Sequence, residues 1–454
     1  MNLIRDPAIV AGYLEDASNV PGGHAEALVR PSTTAECAEV MAHCQAHGIP
    51  LTVTARRTST TGGPVPFGGW LLSTEKLDAV LEIDDETATA QGGVLLGALQ
   101  AEIEQAGRLF PPDPTSRNEC SLGGAIACNA SGARSFKYGP IRNWVQSVEA
   151  VLPDGSIVQA DRSTPVPKGW PRVSWAPPQV KSATGVFPAD NLLDLLIGSE
   201  GMLGLVTRAT VNLTVLPQHL FSVLAFFEDL DTALQYVESA KQASPRLIEW
   251  YDANCVALIR KRVPNLPEAE AAVWIEQECT DADHEDQLMA WAERVEPAVE
   301  VLFAEEPRDV ERLLAIRHAV PAGVNEQVVA NGMPKVGTDF AVPDDALRPM
   351  MAAYASVGLP HVLFGHVGDN HLHLNLLPRT VSELDEAWAT WSRLYEQALK
   401  HGGTLSAEHG VGKLKARYLK RMVGPDTLAA FSALKRHVDP SWILGRGVML
   451  ENPL

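Results

Sequence analysis

Residues 365–375 read GHVGDNHLHLN, and the last five alternate histidine, leucine, histidine, leucine and asparagine. Successive side chains of a strand point to opposite faces, so His371, His373 and Asn375 share one face and Leu372 and Leu374 the other. Apolar residues flank the stretch at 362–364 and at 376–377. The pattern requires a strand with a core behind it and a polar site in front. A second polar segment, SAEHGVGK at 406–413, follows in the chain, and the two are expected to meet in space.

The rest of the chain sets bounds. At 454 residues, with 46% hydrophobic residues, it is expected to form two domains with substantial cores. No apolar run approaches the roughly 20 residues of a membrane span. The N-terminal stretch carries acidic residues early and lacks a basic segment followed by an apolar one, so no signal peptide is expected. The formal net charge of −19 argues against a nucleic-acid partner. The six cysteines form no CxxC pair and are expected to be buried, reduced thiols of a cytoplasmic protein.

In chain order, residues 33–48 are expected to form a helix capped by Thr33 or Thr34 and stopped by Gly48, followed by a strand at 49–53. The loop at 55–66, ARRTSTTGGPVP, is rich in glycine and hydroxyls and can offer backbone N–H groups to a phosphate. Strands are expected near 77–84 and at the segment after it, then a helix from about Leu95 to Gly107. Residues 111–139 concentrate small side chains that suit neither helix nor strand but let backbone approach a flat or charged ligand. A hairpin is expected at 145–160 around Asp154-Gly155, a proline-rich surface loop at 163–180, and a helix, glycine turn and strand at 192–217. Beyond Pro217 the pattern becomes strand–helix–strand, with strands at 220–227 and LIEWYD and helices at 231–242, 283–295, 385–400, 414–422 and 427–437. There is no G-x-G-x-x-G joining strand to helix, no P-loop and no G-x-S-x-G elbow.

The segments PPDPTS, SLGGAIACNASGARSFKYG, GSEGMLGLVT, GHVGDNHLHLN and SAEHGVGKLK occur in an order that resembles FAD-linked oxidoreductases of the vanillyl-alcohol-oxidase type. The likeness is to the D-2-hydroxy-acid dehydrogenases, a branch holding D-lactate dehydrogenase, the glycolate oxidase flavin subunit and D-2-hydroxyglutarate dehydrogenase. It covers about residues 15–450. The resemblance implies an α+β, two-domain FAD-binding fold with an antiparallel-sheet cap. Residues 1–213 would be the N-terminal part of the FAD-binding domain, 214–410 the substrate or cap domain, and 411–454 C-terminal helices completing the first. The flavin nucleotide would lie against Thr58, Gly62 and Gly63 in the first loop. Further contacts would come from Pro112, Asp113, Ser116, Gly123, Gly124, Asn129, Ser131, Gly132, Tyr138 and Gly139, and from Glu200, Gly201, Gly204 and Val206. Two departures stand out. Ala55-Arg56-Arg57 replaces a run of glycines, the arginines facing either a pyrophosphate or solvent, and Gly445-Arg446-Gly447-Val448 replaces Asn-Pro-Gly-Lys, so no cofactor contact is assigned there.

By motif position, the resemblance makes His366, His373 and Glu408 ligands of a divalent metal, zinc first, with manganese or iron(II) compatible. His371 stands where relatives carry asparagine. It is either a fourth ligand or a hydrogen-bonding group behind the ligands, the second being preferred. His409 would be the general base, Arg317 the carboxylate-binding cation and Lys335 a weaker second one, and Asn375 a hydrogen-bonding contact to substrate. Lys413 and Lys415 are expected to be solvated. The implied activity is oxidation of a D-2-hydroxy acid to the 2-oxo acid, with hydride passing to FAD. Oxidation of another alcohol class, or service as a flavin subunit of a larger complex, are the alternatives. The acid itself, the electron acceptor (quinone, cytochrome or electron-transfer flavoprotein), a homodimer and peripheral attachment to the inner membrane stay open. Relatives that bind flavin covalently often use a histidine in the first loop, and 54–66 contains none. Acid precipitation of the purified protein should therefore release the yellow chromophore into the supernatant; colour retained in the pellet would contradict non-covalent binding.

Overall fold

A computed structural model of the chain describes residues 2–451. β1 (Ala27–Val29), β2 (Leu51–Thr54) and β3 (Trp70–Ser73) form a small parallel sheet in the order β1-β3-β2. The helix Thr34–His47 joins β1 to β2. Thr33 caps it by accepting the N–H of Glu36, and Gly48 ends it in the left-handed region at φ 63°. This matches the expected start and stop.

Next come β4 (Val80–Ile83), β5 (Thr87–Gln91), the short β6 (Arg108–Leu109), the hairpin β7 (Val145–Val151) and β8 (Ile157–Asp161), then β9 (Leu205–Asn212) and β10 (Thr214–Val215). All but β6 and β10 form an antiparallel sheet in the order β4-β5-β9-β7-β8. Residues 163–180 form no helix or strand, but they are not merely superficial: Val166 and Val173 are buried, and Trp175 donates its indole N–H to Val186 O.

The largest sheet is antiparallel and uses β11 (His219–Phe227), β12 (Leu247–Asp252), β13 (Ala271–Cys279), β14 (Glu300–Ala304), β15 (Val336–Gly337), β16 (Phe340–Ala341), β17 (His361–His366) and β18 (His371–Leu376). Its order is β14-β11-β13-β12-β17-β18-β15, with β16 also on β18. One face carries Leu247, Tyr251 and Trp274, which pack with Leu313, Ile316 and Val320 of the helix Pro307–Asn331. The periodicity leaves this 25-residue helix unassigned, because Pro321 interrupts its pattern. The C-terminal segment Ala416–Val438 breaks at Gly424-Pro425, where Gly424 leaves helical geometry, so the two expected helices are present. No helix among the described residues is long and apolar enough to cross a membrane. The six cysteines are free, and five are buried.

The N-terminal half and the C-terminal segment are clamped together by Glu200. Its carboxylate accepts the backbone N–H groups of Val411 and Gly412, each at 2.7 Å. Gly412 must be glycine: it sits at φ 54°, and a Cβ would lie 2.3 Å from Thr61 O. Burial pushes the Glu200 carboxyl up to about 7 despite these donors. Between the ordinary value of 4.5 and about 7 the folded state therefore holds a proton the unfolded chain has lost. The contribution of Glu200 to stability is full below that window and falls by about 3 kcal/mol as pH rises through it. Chemical denaturation at pH 5 and pH 7 should show a smaller difference for Glu200→Gln than for the parent. An unchanged difference would mean the carboxyl does not titrate in this window.

Candidate active site

The strand expected from the His/Leu alternation is β18, at the centre of the polar cluster. β17 and β18 pair with His366 opposite His371 and Phe364 opposite His373. The turn between them places Asn370 at φ 52°, tolerable for asparagine, whose short side chain bonds locally. Leu372 and Leu374 are buried in the main core, as the parity requires.

Glu408 is the common neighbour of the imidazoles. Its Oε2 lies 3.4 Å from His366 Nε2 and 3.9 Å from His371 Nδ1. Its Oε1 lies 3.2 Å from His373 Nε2 and 3.4 Å from His409 Nε2. The far nitrogens of two strand histidines are hydrogen-bonded, His371 Nε2 to Asp339 Oδ1 at 2.9 Å and His373 Nδ1 to Thr338 O at 3.3 Å, while His366 Nδ1 lies 3.3 Å from Glu249 Oε1 without a hydrogen bond. A carboxylate only accepts, so His371 Nε2 carries its proton toward Asp339 and the Nδ1 lone pair, without a hydrogen-bond partner among the described residues, faces Glu408. A buried lone pair facing a carboxylate calls for a cation between them. His366, His371, His373 and Glu408 together offer donor atoms that all lie within 4.8 Å of one another. The donor set thus fits a divalent metal backed by outer hydrogen-bond acceptors.

The electrostatics agree. Burial opposes ionisation of Glu408, yet Lys181 and the adjacent histidines hold its carboxyl well below the usual range. Lys181 Nζ is 3.0 Å from Glu408 Oε2 and 3.6 Å from Asp369. Burial keeps His371 and His373 neutral, both below the usual imidazole value. His366 is different: burial and Lys181 push it down, but Glu408 and Glu249 outweigh them and raise it to about 9. Without a metal it holds a proton in the place of the cation.

His409 stands at the open edge. Its ring stacks on His373 at 5.1 Å, and its side chain is 35% exposed against 12% for His373. Its Nδ1 lies 3.5 Å from Asp339 Oδ2. Arg317 joins the cluster from the helix Pro307–Asn331 by pairing with Glu249 at 3.0 Å, its guanidinium 5.7 Å from the centre of the Trp274 ring. Asn375 is buried and donates to His373 O. Lys335 is exposed, immediately before β15.

Three residues of the site carry no expectation from sequence. Asp339 accepts from Ser406 Oγ, the backbone N–H groups of Glu408 and His409, and Lys415 Nζ at 2.8 Å. Burial opposes its ionisation, but His409, Lys415 and His371 hold it well below the usual range. Glu249 in LIEWYD, an acid inside an apolar strand, was a readable signal of a buried partner; nothing marks Lys181. Lys413 and Lys415 are not solvated: Lys413 donates to Gly62 O, Gly63 O and Val65 O, and Lys415 is tied to Asp339. Both follow from folding the second segment onto the first loop.

The expected cofactor residues come together in part. Among the described residues, the N–H groups of Thr58, Ser59, Thr60, Gly62 and Gly63 have no protein acceptor, and buried Ser131 Oγ has no partner. Such a cradle of free donors fits a nucleotide pyrophosphate. Gly132, at φ 124°, lets this loop touch Asp113 O, where a Cβ would come to 1.9 Å. Other side chains are engaged within the protein. Asp113 pairs with Arg117 and Arg134, Tyr138 donates to Glu278, Pro112 O accepts from Gln100, and Asn129 accepts from Arg142 N–H. Gly123 and Gly124 lie in the helix Leu122–Ala127, Val206 pairs with Ala150, and Gly204 packs against Val151 O. Ser116 O caps the turn to Glu119 and Cys120. Gly139 and Gly201 turn the chain at positive φ. Arg57 stacks on Tyr13 at 4.7 Å. A cleft of about 410 Å³ lined by Asn129, Ser182, Thr184, Gly198, Lys181 and Asp369 leads to the histidine cluster.

Comparison with known proteins shows the family and the fold. The model of the FAD linked oxidases, C-terminal domain, matches residues 216–449, and that of the FAD binding domain matches 25–161. Glycolate oxidase subunit GlcD of Bacillus subtilis is 29% identical over 96% of this chain and 91% of its own. D-lactate dehydrogenase of Anaerostipes hadrus is 28% identical over 93% and 89%. D-2-hydroxyglutarate dehydrogenase of Xanthomonas citri pv. viticola is 28% identical over 99% and 94%. A solved alkyldihydroxyacetonephosphate synthase superposes with a TM-score of 0.71 at 16% identity, covering 98% of this chain and 81% of that one, which shows a shared fold.

Removing the Asp339 charge would leave Lys415 and the histidines uncompensated. Asp339→Asn should cost about 3–5 kcal/mol in chemical denaturation, and adding Lys415→Met should restore part of it. A loss under about 1 kcal/mol would show that the hub is not structural.

Proposed function

The chain belongs to the FAD-linked oxidases, and on that premise we propose that it oxidises a D-2-hydroxy acid to the 2-oxo acid. It is an FAD-dependent oxidoreductase of the vanillyl-alcohol-oxidase fold. The substrate class rests on the names of its relatives, which act on glycolate, D-lactate and D-2-hydroxyglutarate. The observation that carries the proposal is the convergence of His366, His373 and Glu408 with His409 at the open edge and Arg317 behind Glu249.

FAD, when bound in the cleft, supplies the acceptor for the hydride leaving the α-carbon. A divalent metal held by His366, His373 and Glu408 supplies a Lewis acid that acidifies the substrate hydroxyl. The remaining tasks fall to side chains. His409 takes the hydroxyl proton, and Asp339 beside its Nδ1 orients the ring and stabilises the imidazolium formed. The planar guanidinium of Arg317 binds the substrate carboxylate with the nitrogens Glu249 leaves free. Lys335 adds a second cation, and Asn375 offers its amide oxygen to substrate. Lys181 keeps Glu408 ionised and ready to bind metal.

The test is turnover with a panel of D- and L-2-hydroxy acids. General-base catalysis contributes roughly 10²–10⁴-fold, so His409→Ala should lower kcat by that order with the FAD content of the parent. Retention of more than about a tenth of the activity would remove the proton-accepting role from His409. Flavin bleaching unchanged after complete chelation would remove the metal from the mechanism.

A further inference from the structure

We propose that His371 is a third imidazole ligand, so that the metal of this chain is held by three histidines and Glu408. The inference deepens the proposed function, on whose metal site it rests. His371 is 0% exposed, and its Nδ1 has no hydrogen-bond partner among the described residues. That nitrogen faces Glu408 Oε2 at 3.9 Å.

The opposite nitrogen settles its tautomer. Asp339 is ionised and accepts at 2.9 Å from Nε2, so the proton resides there and the Nδ1 lone pair is free. A histidine serving only behind the ligands would turn a nitrogen toward a ligand's outer face. His371 instead turns its lone pair inward and donates outward to Asp339; the outer nitrogens of His366 and His373 each lie 3.3 Å from an acceptor, Glu249 Oε1 and Thr338 O. His371 thus shows the pattern of a metal-bound imidazole, one nitrogen hydrogen-bonded to an acceptor and one turned to the common centre.

The strand makes the third ligand possible. His371 and His373 share a face of β18, with ring centres 4.4 Å apart, and His366 faces His371 across the hairpin with ring centres 5.5 Å apart. Donors around one zinc ion with bonds of about 2.0–2.2 Å lie about 3–4 Å from each other. The four donor atoms here lie within 4.8 Å, so small rotamer adjustments close the set. Three imidazoles and one carboxylate favour zinc or cobalt over manganese, which prefers oxygen ligands.

The test is an imidazole count by X-ray absorption at the zinc edge on the zinc-loaded holoenzyme. The parent should show three imidazoles and His371→Asn two, as should His373→Asn. In parallel, His371→Asn should lose at least tenfold more affinity for zinc than for manganese. Affinity alone does not separate a ligand from an outer partner, whose loss also costs about 10–100-fold; the count does. Two imidazoles in the parent, unchanged in His371→Asn, would overturn the third ligand and leave the metal site standing. Absence of bound zinc in the parent would overturn both. If the variants misfold, the parent count alone decides.

Discussion

A buried carboxylate holds the site together. Asp339 stands between β15 and β16 and receives the side chains of His371, Ser406 and Lys415 and the backbone of Glu408 and His409. An ionised carboxylate that far from water is expensive unless each lone pair is matched by a donor. Here every matching donor belongs either to β18 or to residues 406–415. The electrostatic requirement of one aspartate therefore docks the second polar segment onto the strand that carries the first. Glu408 and His409 are aimed at the cluster because their backbone N–H groups are bound to Asp339.

A second clamp secures the same segment from the opposite side. Glu200 holds the N–H groups of Val411 and Gly412, Lys413 donates to three carbonyls of the first loop, and Gly412 leaves no room between itself and Thr61. The glycine-rich half and the histidine-bearing half meet at residues 406–415. The cleft lined by Asn129, Ser182 and Thr184 includes Lys181 and Asp369, and both are ion-paired within the cluster around Glu408. The price is a dense set of buried charges: Glu408, Glu249, Asp339 and Asp113 all ionise against burial because lysines, arginines or histidines lie beside them.

Much of this was legible in the order of residues. The His/Leu alternation specified β18 and the shared face of His371 and His373. The capping residues marked the helix Thr34–His47, and Asp154-Gly155 marked the hairpin of β7 and β8. The helix Pro307–Asn331 was hidden because an internal proline and a mixed polar surface blur its period. Lys413 and Lys415 lie in a charged stretch after a glycine turn, a pattern that suggests solvated side chains, and a linear chain does not show which carbonyls or carboxylates will face them. Lys181 ends a proline-rich insert that resembles an ordinary surface loop.

The sequence alone determined which side chains lie on a common strand face, where helix caps and the hairpin turn fall, and which ordered set of motifs the chain carries. These are local properties, set by the two-residue period of a strand and by the φ values a residue can adopt. Tertiary structure decided the partners: that His371 gives Nε2 to Asp339 and turns Nδ1 to Glu408, that Glu249 stands between His366 and Arg317, and that Lys181 reaches Glu408. Those pairings join residues far apart in the chain. Only the cost of burying an unmatched charge or lone pair selects among them, and that cost exists only once the core has closed.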